Sequence, residues 1–300
     1  MSAAAHIVIT DSGLGGLSIC AALERGLRAA GPTRDIRLTY VNAWPFEDRG
    51  YNDLPDEDAR ARVFDGALAR MAEMRPDRIL IACNTLSILY ERTAFSRRPA
   101  SPVQGIVEAG VGLFARALGE DPASSIGLVG TKTTIESGAH LERLGRRGVD
   151  PVRIAAVSWH GLAGAIERDV DGSRTAELIV ECAARASAAA PPGGALLLGL
   201  CCTHYGYVAA RLVDALARGT GRPVRVLDPN VELVAGLLAD AGFVENSAGK
   251  GADEAPAGSS KPGALSVELI SKVTLTEAAR RGIARLVEPV SAPTAAALLS

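Results

Sequence analysis

Short apolar runs alternate with longer amphipathic segments along most of the chain, and this rhythm restricts the fold more than any other feature. The runs are "HIVIT", "IRLTYV", "RILIAC", "VQGIV", "SIGLVG", "VRIAAVS", "ALLLGL" and "VRVLD". Helices are expected between them at Gly16–Ala30, Asp56–Met74, Ser87–Arg97, Ala109–Leu118, Thr133–Arg147, Gly161–Arg168, Ser173–Ala189, Val208–Arg218 and Val231–Ala241. Strand and helix in strict alternation define an α/β protein with a mainly parallel sheet. Residues 245 to 264 interrupt the pattern with Gly, Ala, Ser, Pro and charges, and are read as a flexible surface insertion. Strand and helix patterning then resumes in "LSVELISKVTL" and "TEAARRGIARLV". The final "SAPTAAALLS" is expected to be a loosely docked tail.

With 300 residues and 48% hydrophobic content, the chain can bury one large core or two modest ones. A formal net charge of −2 and the lack of a basic stripe exclude a nucleic-acid footprint. The start, "MSAAAHIVITDSG", lacks a basic segment followed by a long apolar one, and no run reaches the roughly 18 apolar residues of a membrane span. A cytoplasmic protein without membrane partners is therefore expected. Five cysteines without a secretory signal argue against a disulfide framework. Cys20 and Cys182 fall in helical segments and read as small buried hydrophobes.

The other cysteines repeat a pattern. "RILIACNT" and "LLLGLCCTHY" each run an apolar strand into a thiol followed by hydrogen-bonding side chains. Two similar α/β halves would each present such a thiol at the carboxyl end of a parallel strand, where open α/β sheets bind ligands. Asn84, Thr85, Thr203 and His204 supply donors nearby, and a helix N-terminus lowers a thiol pKa.

Several chemistries fail to use both thiols. The four histidines form no metal-ligand spacing with the cysteines, so no zinc site is expected. Cys201 and Cys202 are adjacent, a strained arrangement for redox exchange. An acyl-transfer pair of Cys202 and His204 leaves Cys83 without a task. Pyridoxal phosphate needs a Schiff-base lysine, and none of Lys132, Lys250, Lys261 and Lys272 follows a phosphate-binding loop. The glycines of "ITDSGLGGLSI" lack a complete dinucleotide fingerprint, since Ser18 replaces the third glycine and Asn42 ends the second strand. Two thiols on opposite walls of one cleft suit inversion of a carbon centre without a cofactor. One takes the proton from one face and the other supplies a proton to the opposite face.

The motifs "TDSGLGGLSI", "IACNTLSI", "GLVGTKTTIESG" and "CCTHYGY" resemble, in order and spacing, the glutamate racemase branch of the aspartate/glutamate racemase superfamily. This resemblance implies two similar α/β domains with the active site in the cleft between them. Domain one would comprise 1–102 plus 206–300, and domain two 103–205. Cys83 and Cys202 would be the catalytic thiols, with Asp11, His204 and Glu167 assisting proton transfer. Ser12 and Thr203 would hold the substrate amino group, and Asn84, Thr85 and Thr203 its α-carboxylate. Tyr51, Thr131 and Thr134 would complete the binding set. The resemblance further implies a small acidic amino acid as substrate, no cofactor, a homodimer and a role in cell-wall precursor synthesis. Three positions depart from the family pattern: "GYND" replaces Pro-Tyr-Gly, Cys201 stands where glycine is usual, and Gly206 replaces a proline. The first leaves the substrate side-chain pocket open to another carboxylate. A non-catalytic relative that binds a small acid is the alternative from a different class.

Overall fold

The computed structural model describes residues 4–240 and 263–300. The predicted insertion at 245–264 lies outside the described residues except for its last two. Two parallel sheets organise the chain. The first has the order β4-β3-β1-β2-β9, built from β1 (Ala5–Asp11), β2 (Ile36–Asn42), β3 (Arg78–Ile81), β4 (Val103–Gly105) and β9 (Leu265–Ser271). The second has the order β6-β5-β7-β8, from β5 (Ser125–Gly130), β6 (Ile154–Ser158), β7 (Leu196–Cys201) and β8 (Val224–Leu227). Every registered pairing is parallel.

Every residue of β1, β5 and β7 is buried. Their apolar runs are continuous because helices cover both sheet faces, so neither side of the pleat meets water. The crossovers are α1 (Leu17–Ala30), α2 (Glu57–Glu73), α3 (Asn84–Tyr90), α4 (Val107–Glu120), α5 (Lys132–Glu136), α6 (Ala139–Arg146), α7 (Leu162–Arg168), α8 (Ser173–Ala189), α9 (Ala209–Thr220) and α10 (Pro229–Ala239). After β9 come α11 (Glu277–Val287) and α12 (Ala292–Leu299). Local chemistry sets several boundaries. Asp56 caps α2 by accepting from Ala59 N, Asp228 caps α10 ahead of Pro229, and α1 ends on left-handed Gly31.

Three elements differ from expectation. The helix expected at Thr133–Arg147 is split, because Gly138 has φ of 68°, which a right-handed helix cannot continue through. Helix α3 begins at Asn84, directly after the thiol, and not at Ser87. The C-terminal segment is a helix and not a loose tail: Ser291 caps it, and Thr294, Ala295 and Leu298 are buried. Sheet membership also departs from the expected 103–205 division. β4 joins the first sheet and β8 the second, so the second sheet draws on residues 125–227. Among the described residues, no helix is long and apolar enough to cross a membrane.

The two sheets share one topology. In the first, the chain steps from β1 to β2 on one side and then crosses to β3 on the other. In the second, β5, β6 and β7 repeat that path. Each sheet therefore has a switch point, between β1 and β3 and between β5 and β7, where a crevice opens at the strand carboxyl ends. Cys83 follows β3 and Cys202 follows β7, so the repeated motif marks the same strand of each half.

Candidate active site

The two thiols have nearly identical backbones. Cys83 has φ −144° and ψ 126°, Cys202 has φ −153° and ψ 128°, and each is the residue that caps the following helical turn. Cys202 is 8% exposed, whereas Cys201 is 0% exposed. Neighbouring residues on a strand point to opposite faces, so only one of a vicinal pair can face the crevice. Cys201 points into the core, where burial pushes its thiol far up. Both candidate thiols line a cleft of about 460 Å³ at the facing switch points, together with Asp11, Ser12, Asn84, Thr85, Thr131, Glu167, Thr203 and His204.

Around Cys83, Ser12 Oγ lies 3.3 Å from Sγ and 3.5 Å from Asp11 Oδ1. Asp11 accepts from Thr203 Oγ1 at 2.8 Å, a bond that joins the two halves. Burial raises the Asp11 pKa against the opposing pull of His204 and Thr203. Burial also holds the Cys83 thiol well above the ordinary value. The Asp11 charge adds to this, and hydrogen bonds from Ser12 and the Leu86 backbone only partly offset it.

The surroundings of Cys202 are different. His204 Nδ1 is 3.9 Å from its sulfur, and His204 Nε2 is 2.7 Å from Glu167 Oε2. The same carboxylate oxygen accepts from Leu14 N at 2.8 Å. Burial by itself disfavours a charged imidazole, yet Cys202 and Glu167 together hold the His204 pKa well above 6.5. One thiol thus has a carboxylate and a hydroxyl beside it, the other an imidazolium anchored by a carboxylate. Glu167 is not the solvated face of a helix.

The glycine run is explained by proximity. A Cβ on Gly15 would lie 2.4 Å from Thr203 Oγ1 and 2.6 Å from His204 Nδ1, and one on Gly13 would lie 2.5 Å from Glu167 Oε2. Only glycine lets this loop approach the opposite half closely enough for Leu14 N to reach Glu167.

Beyond the thiols, Thr85 Oγ1 pairs with Thr131 Oγ1 at 3.0 Å and Thr134 Oγ1 at 2.8 Å, again joining the halves. Thr134 does not line the cleft; it lies beneath Thr85 and Thr131 and fixes them. Asn84 Oδ1 accepts from His140 Nε2 at 3.2 Å, and burial lowers the His140 pKa to about 4, so the ring is neutral and donates. That contact orients the Asn84 amide and leaves its buried Nδ2 without a partner among the described residues.

Tyr51 is not on the cleft wall. The turn at Tyr51–Asp53 directs its ring inward under α2, edge-on to Phe64 at 6.3 Å, while Asn52 and Asp53 face the cleft. Asn52 Oδ1 accepts from Thr133 N and Oγ1, at 3.2 and 2.7 Å, a further link across the cleft. Asn52, Lys132, Trp44 and Trp159 are cleft residues that sequence reasoning missed. The polar residue after Tyr51, where glycine is usual, was the available signal for Asn52. None marked the others.

Facing switch points of two topologically equivalent parallel sheets, with one thiol from each, define a class of two-cysteine racemase folds. The Asp/Glu/Hydantoin racemase family model matches residues 7–237, and the chain belongs to that family. Within it, the glutamate racemase of Granulibacter bethesdensis is 31% identical over 228 residues, covering 75% of this chain and 74% of that protein. The glutamate racemase of Sphingopyxis alaskensis is 29% identical over 231 residues, covering 75% and 77%. The fold is shared with the solved structure of glutamate racemase from Francisella tularensis in complex with D-glutamate, with a TM-score of 0.64 at 19% identity over 95% of this chain and 94% of that one.

Proposed function

We propose that the chain interconverts L- and D-glutamate without a cofactor, by proton transfer between the α-carbon and the thiols of Cys83 and Cys202. The carrying observation is the matched placement of these two thiols at equivalent strand ends of opposing halves. In the direction that starts at Cys202, its sulfur acts as the thiolate base with the His204 ring beside it, while Cys83 carries a proton. That thiolate takes the α-proton: an S–H bond forms, the Cα–H bond breaks, and its electron pair moves into the carboxylate as an enediolate. Cys83 then donates its proton to the opposite face and is left as thiolate. The other enantiomer follows the reverse course.

Each group has a task in this reading. His204, held by Glu167, and Asp11, next to Ser12, adjust the two thiols. Asn84 Nδ2, without a partner among the described residues, and Thr85, with Thr203, meet the α-carboxylate where charge develops. Ser12 and Thr203 accept from the amino group. Thr131 lines the wall and Thr134 holds it in place, while Tyr51 acts only through the turn that carries Asn52. Free cysteines throughout the described residues fit a reducing cytoplasm. A homodimer supplying a D-amino acid for cell-wall precursors completes the proposal.

The test is loss of the α-proton signal in D₂O, with each enantiomer of glutamate and aspartate and chiral analysis of the product. The expected result is exchange and inversion of glutamate, with Cys83→Ala and Cys202→Ala each abolishing exchange from a different enantiomer. Folded, reduced enzyme that exchanges no acid would overturn the assignment, and so would equal loss of α-proton exchange from both enantiomers in either variant.

A further inference from the structure

A second cavity, of about 280 Å³, lies behind the cleft between α2, the end of β2 and the edge strand β9. Val41, Ala43, Pro45, Val63, Ala67 and Met71 give it a mainly apolar wall. Two features single it out. Tyr51 lines it, is 2% exposed, and carries a buried hydroxyl with no hydrogen-bond partner among the described residues. A buried hydroxyl without a partner carries a desolvation cost that a ligand acceptor would relieve. At the mouth stands Arg70, exposed and with no ion-pair partner among the described residues. Lys272 stands near it, its ammonium donating to Pro45 O at 2.6 Å and lying over the Phe46 ring. Among the described residues, no carboxylate lines this cavity.

We propose that this cavity is a binding site for a small aryl monocarboxylate, the ring taken by the apolar wall and the carboxylate by Arg70, with the Tyr51 hydroxyl donating to the ligand. The size suits a single ring with a short acid arm, and falls just below the usual range for drug-sized ligands. The cavity is distinct from the cleft but shares Asn42 and Trp44 with it. Trp44 also packs on Gly50, where a Cβ would lie 2.6 Å from the indole. The occupant therefore touches the segment that delivers Asn52 to the cleft.

The experiment is calorimetric titration of phenylacetate into the full chain, which needs no turnover and so is independent of the proposed activity. Saturable binding is expected, undiminished by excess L-glutamate. Arg70→Gln should weaken it about tenfold, as should replacing the acid with neutral phenylacetamide. Ala67→Trp, which fills the cavity, should abolish it. Absence of saturation overturns the proposal, as does affinity unchanged in Arg70→Gln or equal affinity for acid and amide. Arg70 is exposed on α2, so that variant keeps the test decisive even if the filled cavity disturbs folding.

Discussion

Replacing Glu167 with glutamine isolates the charge that anchors His204. The substitution keeps shape, and an amide oxygen can still accept from Leu14 N, now 2.8 Å from the carboxylate. What is lost is the charge in the 2.7 Å contact to His204 Nε2. A hydrogen bond to a charged group contributes about 1.5–3 kcal/mol and a neutral one about 0.5–1.5. The difference, about 1–2 kcal/mol, lowers the His204 pKa from its raised position and reduces kcat/KM by about 5- to 30-fold. Enantiomers have equal free energy in water, so the equilibrium constant is one and kcat/KM must fall equally in both directions. The asymmetry of the site shows elsewhere. With α-deuterated substrates, the primary isotope effect should rise for the one enantiomer whose proton the Cys202 side removes. Stability has its own signature. A folded His204 pKa above 6.5 stabilises the fold fully below pH 6.5 and loses that contribution as pH rises through the folded value. The melting temperature of Glu167→Gln should therefore fall most on the acid side. Circular-dichroism assays of racemisation and thermal melts at several pH values measure both effects. A change in kcat/KM below twofold, or an isotope effect that rises equally for both enantiomers, would refute the reasoning.

Gly15→Ala drives a methyl group to 2.4 Å from Thr203 Oγ1, so roughly 1–3 kcal/mol of stability should be lost, with much of the activity, as seen by urea titration and turnover. Asn52→Ala removes both bonds to Thr133, and KM for glutamate should rise about two- to tenfold with kcat less affected. Leu298→Ala, at a side chain with 0% exposure on α12, should cost about 2–5 kcal/mol in chemical unfolding while leaving KM unchanged.

The strands were legible because helices on both faces force unbroken apolar runs, and every run quoted from the sequence contains a strand. The thiols were legible for a related reason, as polar punctuation at the end of such a run. Helix starts were less so. "NTLS" reads as a loop by composition, yet Asn84 opens α3 because the strand ends three residues earlier, at Ile81, and the crossover must begin at once. The break at Gly138 hinges on one left-handed residue, and the docking of α12 on small alanines with weak periodicity. Tyr51 was misplaced because a single-turn helix sends consecutive side chains in different directions, and nothing local says which one the tertiary packing takes inside. The choice of Cys202 over Cys201 follows from strand alternation, but only once the register of β7 is known.

The bonds that stitch the two walls together have a consequence for how the protein comes into being. Asp11 and Thr203 are 192 residues apart in sequence, and Leu14 and Glu167 are 153 apart. Contacts at such separation require the closure of long loops, which slows folding relative to local pairing. Each sheet is assembled mostly from nearer segments, so the stitching bonds belong to the last stage, when the halves meet. Until then each thiol has the neighbours of its own half but lacks the bonds that reach them from the other, Thr203 to Asp11 and Leu14 N to Glu167. A chain caught with one half folded holds one half of an inversion device, which can take a proton from one face and has nothing to return to the other.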